Sequence, residues 1–517
     1  MIFEAASPHE VAMIRNATAL GLAFALSLLS GCGSTSDSSP PRANGGAAHG
    51  GAASAGSSAG GSAGLGSGGA SGGSLSGGGS AGQLNSAGAN SAGNPGTAGS
   101  SGNGSAGASG AGSAGAAGAG GAGTAGAGSA GAAGSSSSGD IVGKITVGYQ
   151  GWFNAPADGS GINPPWWHWT ADRNTPSPTN SGIKSWPDVS ELTKTYATGF
   201  ANLGNGSPAK LYSDWDAQTV DMQIKWMQDT GIDTIALQRF GDYRGTGEAR
   251  NVVAGHVRDS AQAHGRKFYI MYDISGWDSF QADLKSDWTD HIIGELHLTD
   301  SPAYAKQNGK PVICIWGLGY TGHPGTTDTT LDVINYFKGK GLYVIGGLGN
   351  DWRTANGNQW SKAGFLSVFD ALDAISPWMV GVIGDNAGSD SNRTKYNEGD
   401  VAYLHGKGKH YQPCVMPGDL QAKQRHHGDF MWHQFYNMIQ IGSDGIYISM
   451  YDEYNEGNQI AKTAATSASI PAGSSFVTLD EDGTKCSSDY YLRLTADGGK
   501  MLRKQIPLTA TRPTSPM

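Results

Sequence analysis

The sequence has little charge and no excess of basic residues. Only 15% of its 517 residues are charged, and 34 Lys and Arg against 43 Asp and Glu leave a net charge of -9. Binding to nucleic acid needs clustered cations that displace counterions from phosphates, and no basic stripe is present. We therefore expect no nucleic acid partner, and the acidic balance fits a neutral ligand.

Cysteine is scarce, with 4 residues in the chain. Cys314 and Cys414 fall within apolar runs, where cysteine usually behaves as a small apolar residue. Cys486 lies in a predicted loop. Since Cys32 has a separate interpretation, given below, three cysteines remain and at least one of them is unpaired.

Motifs for metals and cofactors are also missing. No G-x-G-x-x-G follows the first predicted strand, and the loop Gly346-Gly347-Leu348-Gly349 lacks the Lys-Ser/Thr pair of a P-loop. Arg425-His426-His427 and His433 suggest a metal, but adjacent histidines in a loop make poor tetrahedral ligands and no carboxylate shows ligand spacing. We expect neither a metal nor a cofactor.

The N-terminal apolar run, Ala19 to Leu29, is too short to span a bilayer comfortably. Arg15 precedes it and small residues follow it, a pattern typical of an export signal over residues 1–32. Because acidic residues suit a signal poorly, Met13 is an alternative start to Met1.

The end of this signal, Leu29-Ser30-Gly31-Cys32, resembles a bacterial lipobox. The resemblance implies that Cys32 is lipidated and becomes the mature N-terminus, which would anchor the protein to a membrane. An ordinary signal peptide with an incidental cysteine is the alternative. Gly33 follows instead of a retaining Asp, so the implied location is the cell envelope, at the outer membrane or surface of a Gram-negative bacterium.

Residues 33–139 lack almost all aromatic and large aliphatic side chains. Gly, Ala and Ser dominate this segment, which cannot bury enough apolar surface to offset the entropy of ordering. We predict a disordered tether, with a root-mean-square span of roughly 50–60 Å for a Gly-rich coil of about 100 residues. A Gly-rich fibrous structure would need a strict three-residue period, which is absent.

Residues 140–517 have a different composition, in which short apolar runs alternate with helical patterns. Eight strands with intervening helices predict an α/β fold, a single (β/α)8 TIM-type barrel, although a doubly wound sheet shows similar alternation. Helices are predicted at 219–230, 249–264, 329–338 and 430–441. The predicted strands are 145–149, 234–238, 268–272, 311–316, 342–345, 374–382, 410–416 and 445–450.

Chemistry in such a barrel takes place at the carboxyl ends of the strands. Polar and aromatic residues are concentrated at those ends, and we predict that they bind substrate. For Asp242 and Asp273, capping of the next helix is an equal alternative. The predicted substrate-binding residues are Tyr149, Trp152, Asp242, Asp273, Trp316, Asp385, Tyr451 and Asp452.

Tryptophan and tyrosine are abundant, with 14 and 19 residues. Trp166, Trp167 and Trp169, together with His168, follow the first strand. They suit a surface on which sugars stack, or equally a hydrophobic plug on top of the barrel.

Glu453 and Glu456 form the densest acidic cluster, directly after the eighth strand. Glycosidic cleavage needs one group that protonates the departing oxygen and another that acts as base or nucleophile. Two carboxylates three residues apart on one turn can converge on one pocket, and crowding raises one pKa, as a general acid requires. A solvated acidic loop is the alternative. We predict that Glu453 and Glu456 are catalytic.

The segment Tyr451-Asp452-Glu453-Tyr454-Asn455-Glu456-Gly457-Asn458-Gln459-Ile460 resembles the Glu-Trp/Tyr-x-Glu-Gly-Thr-Gln-Ile element of glycoside hydrolase family 99, the endo-acting α-mannosidases and α-mannanases. Val147-Gly148-Tyr149-Gln150-Gly151-Trp152-Phe153 and the segment 430–437 resemble bacterial proteins called family 71/99-like, some of them loosely labelled xylosidase/arabinosidase. The likeness covers residues 145–505.

The resemblance implies a retaining reaction. Glu453 would deprotonate the substrate 2-hydroxyl, which closes a 1,2-anhydro sugar, and Glu456 would protonate the leaving sugar. Asn455 and Asn458 replace the usual His and Thr, which leaves the sugar open; family 71, the α-1,3-glucanases, is a neighbour. The expected partner is a polysaccharide or oligosaccharide. A non-catalytic carbohydrate-binding protein and a surface adhesin on the same barrel are the alternatives.

Overall fold

The computed structural model describes residues 139–241, 246–355 and 360–517. The predicted signal peptide, Cys32, the tether up to residue 138 and Asp242 lie outside these residues. All described residues belong to one compact unit. Within them, no helix is both long enough and apolar enough to cross a membrane.

Eight parallel strands form the centre of the fold, and each pairs with the next one along the chain. Their side chains are almost continuously buried, since helices cover the outer face and the strands pack against one another inside. The (β/α)8 barrel predicted from the apolar runs is confirmed. The strands are Ile145–Tyr149, Thr234–Arg239, Lys267–Asp273, Lys310–Trp316, Tyr343–Leu348, Ala374–Pro377, the pair His410–Tyr411 and Cys414–Val415, and Ile446–Ile448.

The seventh strand closes the barrel in two pieces. His410–Tyr411 pairs with the sixth strand and Cys414–Val415 pairs with the eighth, which in turn pairs with the first. Pro413 has no backbone N–H, so it cannot donate to the ladder. Its carbonyl accepts from Tyr447 N at 3.0 Å, and this bond carries the pairing across the break.

Helices cover the outside of the barrel. The helix Thr327–Gly339 begins with a capping box between Thr326 and Thr329, and it buries Val333, Ile334 and Phe337 on one face. The α-helices are Ala217–Asp229, Gly247–Ala263, Phe280–Asp287, Thr327–Gly339, Leu366–Phe369, Asn386–Asn392, Glu398–His405, Asp429–Gln440 and Tyr490–Leu502. The described residues also form the π-helices Trp288–Glu295 and Arg393–Asn397 and the 3₁₀-helices Leu298–Asp300, His426–Gly428 and Ser467–Ser469.

A long segment, residues 150–216, connects the first strand to the first helix. Its two short strands, Tyr196–Ala197 and Lys210–Leu211, pair antiparallel. Trp166 and Trp169 are buried, and the Trp169 ring lies 4.0 Å from Phe153. These two tryptophans therefore belong to a hydrophobic plug, the second of the two interpretations that the sequence left open.

Candidate active site at the carboxyl end of the barrel

The chain makes a tight turn where it leaves the eighth strand. The carbonyl of Glu453 accepts from Glu456 N at 3.2 Å and from Gly457 N at 3.0 Å, so both glutamates lie on one turn. Gly457 has φ +78, and a Cβ there would lie 2.8 Å from Asp419 Oδ1. Only glycine fits this position, because the backbone is left-handed and the neighbouring carboxylate is close.

Asp452 fastens this turn to the end of the first strand. It is 0% exposed, and its carboxylate accepts from the backbone N–H of Gln150 at 2.8 Å and of Gly151 at 2.9 Å. Burial raises the pKa of Asp452 to about 6, against the opposing effect of these two donors. Asp452 is thus a buried link between strands, and a contact with the substrate stays a prediction.

Glu453 is 5% exposed. Its Oε1 accepts from Gln150 Nε2 at 3.1 Å, whereas its Oε2 has no partner among the described residues. Burial raises the pKa of Glu453 well above its usual value, and the charges of Glu456, Asp452 and Asp273 add to the rise. The Gln150 amide opposes it by stabilising the ionised form.

Glu456 is half-buried beside an ion pair. Burial raises the pKa of Glu456; Lys184 lowers it, while Asp419 and Asp273 raise it. Lys184 Nζ itself lies 2.7 Å from Asp419 Oδ2. Asp273 ends the third strand and acts electrostatically on both glutamates, so carboxylates from different strands converge at the barrel mouth.

Arg425 holds the far side of the turn. It is buried, and it donates to the carbonyls of Gly418 at 2.8 Å, Gly457 at 2.7 Å and Gln459 at 2.8 Å. Its guanidinium also lies 4.5 Å from the centre of the Tyr491 ring. The sequence offered only a metal-binding interpretation for the segment around Arg425. The contacts of Arg425 with the turn were not predicted, because the carbonyls that it binds lie 7 to 34 residues away along the chain.

Two histidines of the cluster around Arg425, His427 and His433, form pairs with aspartates. His427 pairs with Asp482, and His433 Nε2 lies 2.8 Å from Asp390 Oδ1. Within the described part of the chain, no group of three or more His, Cys, Asp or Glu is arranged to hold a metal ion.

Half-buried aromatic rings lie at two sides of the barrel mouth. Trp152 stacks on His168 at 3.7 Å and on Phe240 at 5.4 Å. Trp316, the last residue of the fourth strand, lies 5.3 Å from Trp378, which follows the sixth strand. The indole nitrogens of Trp152 and Trp316 have no partner among the described residues. Flat rings with a polar edge suit contact with sugars.

Two predicted substrate-binding tyrosines are core residues. Tyr149 and Tyr451 are both fully buried, with ring centroids 5.8 Å apart. Tyr149 donates to the side chain of Gln223 and Tyr451 to its backbone carbonyl, so both rings point outward to the helix Ala217–Asp229. These two residues support the site from behind, and a contact with substrate stays a prediction.

The two remaining residues that were predicted to bind substrate, Asp273 and Asp385, lie in different parts of the structure. Asp273 lies near the two glutamates, and its Oδ1 accepts from Ser275 N at 2.8 Å. Asp385 is exposed and caps the helix Asn386–Asn392, with its side chain accepting from Gly388 N at 2.7 Å. It lies eight residues beyond the end of the sixth strand, and a role in binding stays a prediction.

The fold and the mouth together define a closed parallel barrel with acidic and aromatic residues at the carboxyl ends of its strands. No protein-family model matches the chain, and no curated protein matches it. Among solved structures, it is similar to a GH99 endo-α-mannosidase from Bacteriodes thetaiotaomicron in complex with BIS-TRIS-propane, at 16% identity and a TM-score of 0.50. The match covers 71% of this chain and 98% of that chain.

A second structure of a GH99 endo-α-mannosidase from Bacteroides thetaiotaomicron matches at 16% identity and a TM-score of 0.48, and covers 70% of this chain and 98% of that chain. At 16% identity, the likeness to the first of these two structures, with its TM-score of 0.50, establishes the fold alone.

Proposed function

We propose that this protein is a glycoside hydrolase that cleaves a polysaccharide or oligosaccharide, with Glu453 and Glu456 as the catalytic pair. The observation that carries the proposal is the turn after the eighth strand, which holds both glutamates at the barrel mouth with raised pKa values. Asp273 and the half-buried Trp152 and Trp316 lie at the same end of the barrel.

The chemistry follows from two carboxyl groups in different surroundings. Burial raises the pKa of both carboxyl groups, which favours the protonated form that a proton donor needs. The resemblance of residues 451–460 to the family 99 element gives the role of proton donor to Glu456. Glu453 would remove the proton of the 2-hydroxyl, so that this oxygen displaces the leaving sugar and forms a 1,2-anhydro ring. Water then opens the ring, and the two inversions give overall retention.

The resemblance of residues 451–460 to the family 99 element supports these two roles, and the similar fold of the GH99 endo-α-mannosidase is consistent with them. An α-mannan is therefore the first substrate to test. Asn455 and Asn458 differ from that element, so α-1,3-glucan, xylan and arabinan belong in the same panel.

A second proposal concerns the location of the protein in the cell, and it rests on the sequence of residues 1–139. The signal-like run, Cys32 and the Gly-rich segment suggest a lipid-anchored protein whose tether carries the barrel away from the outer membrane. Metabolic labelling with an azido fatty acid should mark the parent and not Cys32→Ser. Equal labelling of both proteins would contradict lipidation at Cys32.

The proposed activity is tested by incubating the full chain with the panel and measuring reducing ends. We expect release by the parent, and a fall in kcat of about 10² to 10⁴ in Glu453→Gln and in Glu456→Gln. Glu398→Gln is the control, because Glu398 is exposed on the helix Glu398–His405.

The anomeric form of the first product, followed by NMR, should match that of the substrate. Release by the parent and by both catalytic variants at equal rates would contradict the proposed pair. Binding of a polysaccharide without release would instead favour a carbohydrate-binding protein.

A further inference from the structure

Gln150 is the residue directly after the first strand, and it contacts the eighth-strand turn in two independent ways. Its backbone N–H donates to Asp452 at 2.8 Å, and its side-chain Nε2 donates to Glu453 Oε1 at 3.1 Å. The side chain is 6% exposed. The position of Gln150 is therefore fixed by its backbone, while its amide is directed at a glutamate.

The contact leaves two buried acceptor atoms without partners. Gln150 Oε1 and Glu453 Oε2 have no hydrogen-bond partner among the described residues. A buried acceptor without a partner is destabilising, so such atoms need an explanation. Each of these two oxygens can accept a hydrogen bond from a donor outside the described residues.

We propose that Gln150 positions the Glu453 carboxylate through its amide N–H and accepts a hydrogen bond from a substrate hydroxyl through Oε1. The hydroxyl on Glu453 Oε2 is then the one that loses its proton, and the neighbouring hydroxyl is held by Gln150. This inference rests on the proposed function.

The amide also favours the ionised state of Glu453. Burial and the surrounding negative charges raise the pKa of Glu453, and the hydrogen bond from the Gln150 amide lowers it. Removal of this amide therefore makes ionisation of Glu453 harder. The titratable groups around Glu453 lie on the third, seventh and eighth strands and on the turn after the eighth. They are Asp273, Cys414, Tyr447, Asp452 and Glu456.

The test compares Gln150→Met with Gln412→Met. Methionine has nearly the same volume, no hydrogen-bond donor and no amide oxygen. The Asp452 link uses the backbone of Gln150, so the substitution leaves it in place. Gln412 is a matched control, because it is 1% exposed and its Oε1 also has no hydrogen-bond partner among the described residues. Its amide N–H donates to a hydroxyl, Thr146 Oγ1, at 3.0 Å, whereas that of Gln150 donates to a carboxylate.

The first measurement needs no substrate. Carbon-13 NMR of δ-labelled glutamate in the full chain follows ionisation of Glu453, assigned by the loss of its signal in Glu453→Gln. We expect the midpoint to move to higher pH in Gln150→Met and to stay at the parent value in Gln412→Met. An unchanged midpoint in Gln150→Met, or an equal change in both variants, would overturn the positioning role.

The second measurement uses the polysaccharide that the parent cleaves. We expect Gln150→Met to lose about tenfold or more in kcat/KM, with the lower limb of its pH profile moved to higher pH, and Gln412→Met to keep the parent profile. If no polysaccharide is cleaved by the parent, the proposed function fails, and the NMR titration still decides whether Gln150 controls Glu453.

Discussion

Asp452→Asn should change how stability depends on pH, because a fully buried carboxyl titrates differently in the folded and unfolded chain. Burial raises the pKa of Asp452 from 3.8 to about 6. Between those values the folded protein binds a proton that the unfolded chain has lost. Asp452 therefore stabilises the fold fully below pH 3.8, and this contribution disappears as pH rises through about 6.

The size of the effect follows from the shift in pKa. A difference of about two pH units corresponds to about 3 kcal/mol. Asparagine has nearly the same shape, keeps one acceptor for the N–H groups of Gln150 and Gly151, and does not titrate. The free energy of unfolding of the parent, relative to the variant, should thus fall by about 3 kcal/mol from below pH 4 to above pH 6.

Urea unfolding of both proteins across this pH range, followed by tryptophan fluorescence, measures the difference. The opposite slope would mean that the two backbone donors outweigh burial and hold the pKa of Asp452 below 3.8. A difference that does not vary with pH would mean that Asp452 is not desolvated. Either result would refute the conclusion that burial dominates the pKa of Asp452.

Two other substitutions test the turn that carries the glutamates. Gly457→Ala should reduce activity about tenfold or more and lower stability by about 1–3 kcal/mol, because the new Cβ displaces Asp419 and the backbone is strained. Gly483→Ala is its control, with φ +87 and no atom within 4 Å of the new Cβ, and a similar activity loss there would contradict the local cause. Arg425→Met should lower the free energy of unfolding by about 2 kcal/mol or more, since three buried carbonyls lose their donor. Urea denaturation checks this, and a loss below about 0.5 kcal/mol would show that Arg425 does not hold the turn.

The barrel could be predicted from the sequence because parallel strands buried on both faces are continuous apolar runs. The first strand was predicted with its exact limits, Ile145–Tyr149. The sixth was predicted to reach residue 382 but ends at Pro377. The seventh strand was predicted as continuous from 410 to 416. In the structure it is interrupted at Pro413, because proline has no N–H to donate to a neighbouring strand.

The sequence predicts which residues follow each strand and therefore lie at the carboxyl end of the barrel. It does not predict the direction or the contacts of their side chains. The location of Glu453 and Glu456 after the eighth strand places them at the mouth. The direction of the Tyr149 ring could not be predicted in this way, because successive side chains of a strand point to opposite sides, and this ring faces the outer helix. Gln150 and Arg425 gave little signal, since their contacts join segments that are far apart in the chain.

The central claim is that Glu456 supplies a proton to the leaving group and Glu453 does not. The most direct test compares both Gln variants on the cleaved polysaccharide and on the glycosyl fluoride of the same sugar, because fluoride departs without protonation. We predict that Glu456→Gln, impaired by about 10² or more on the polysaccharide, comes within about tenfold of the parent on the fluoride, while Glu453→Gln stays impaired on both. Equal impairment of Glu456→Gln on the two substrates, or recovery of Glu453→Gln on the fluoride, would contradict the assignment.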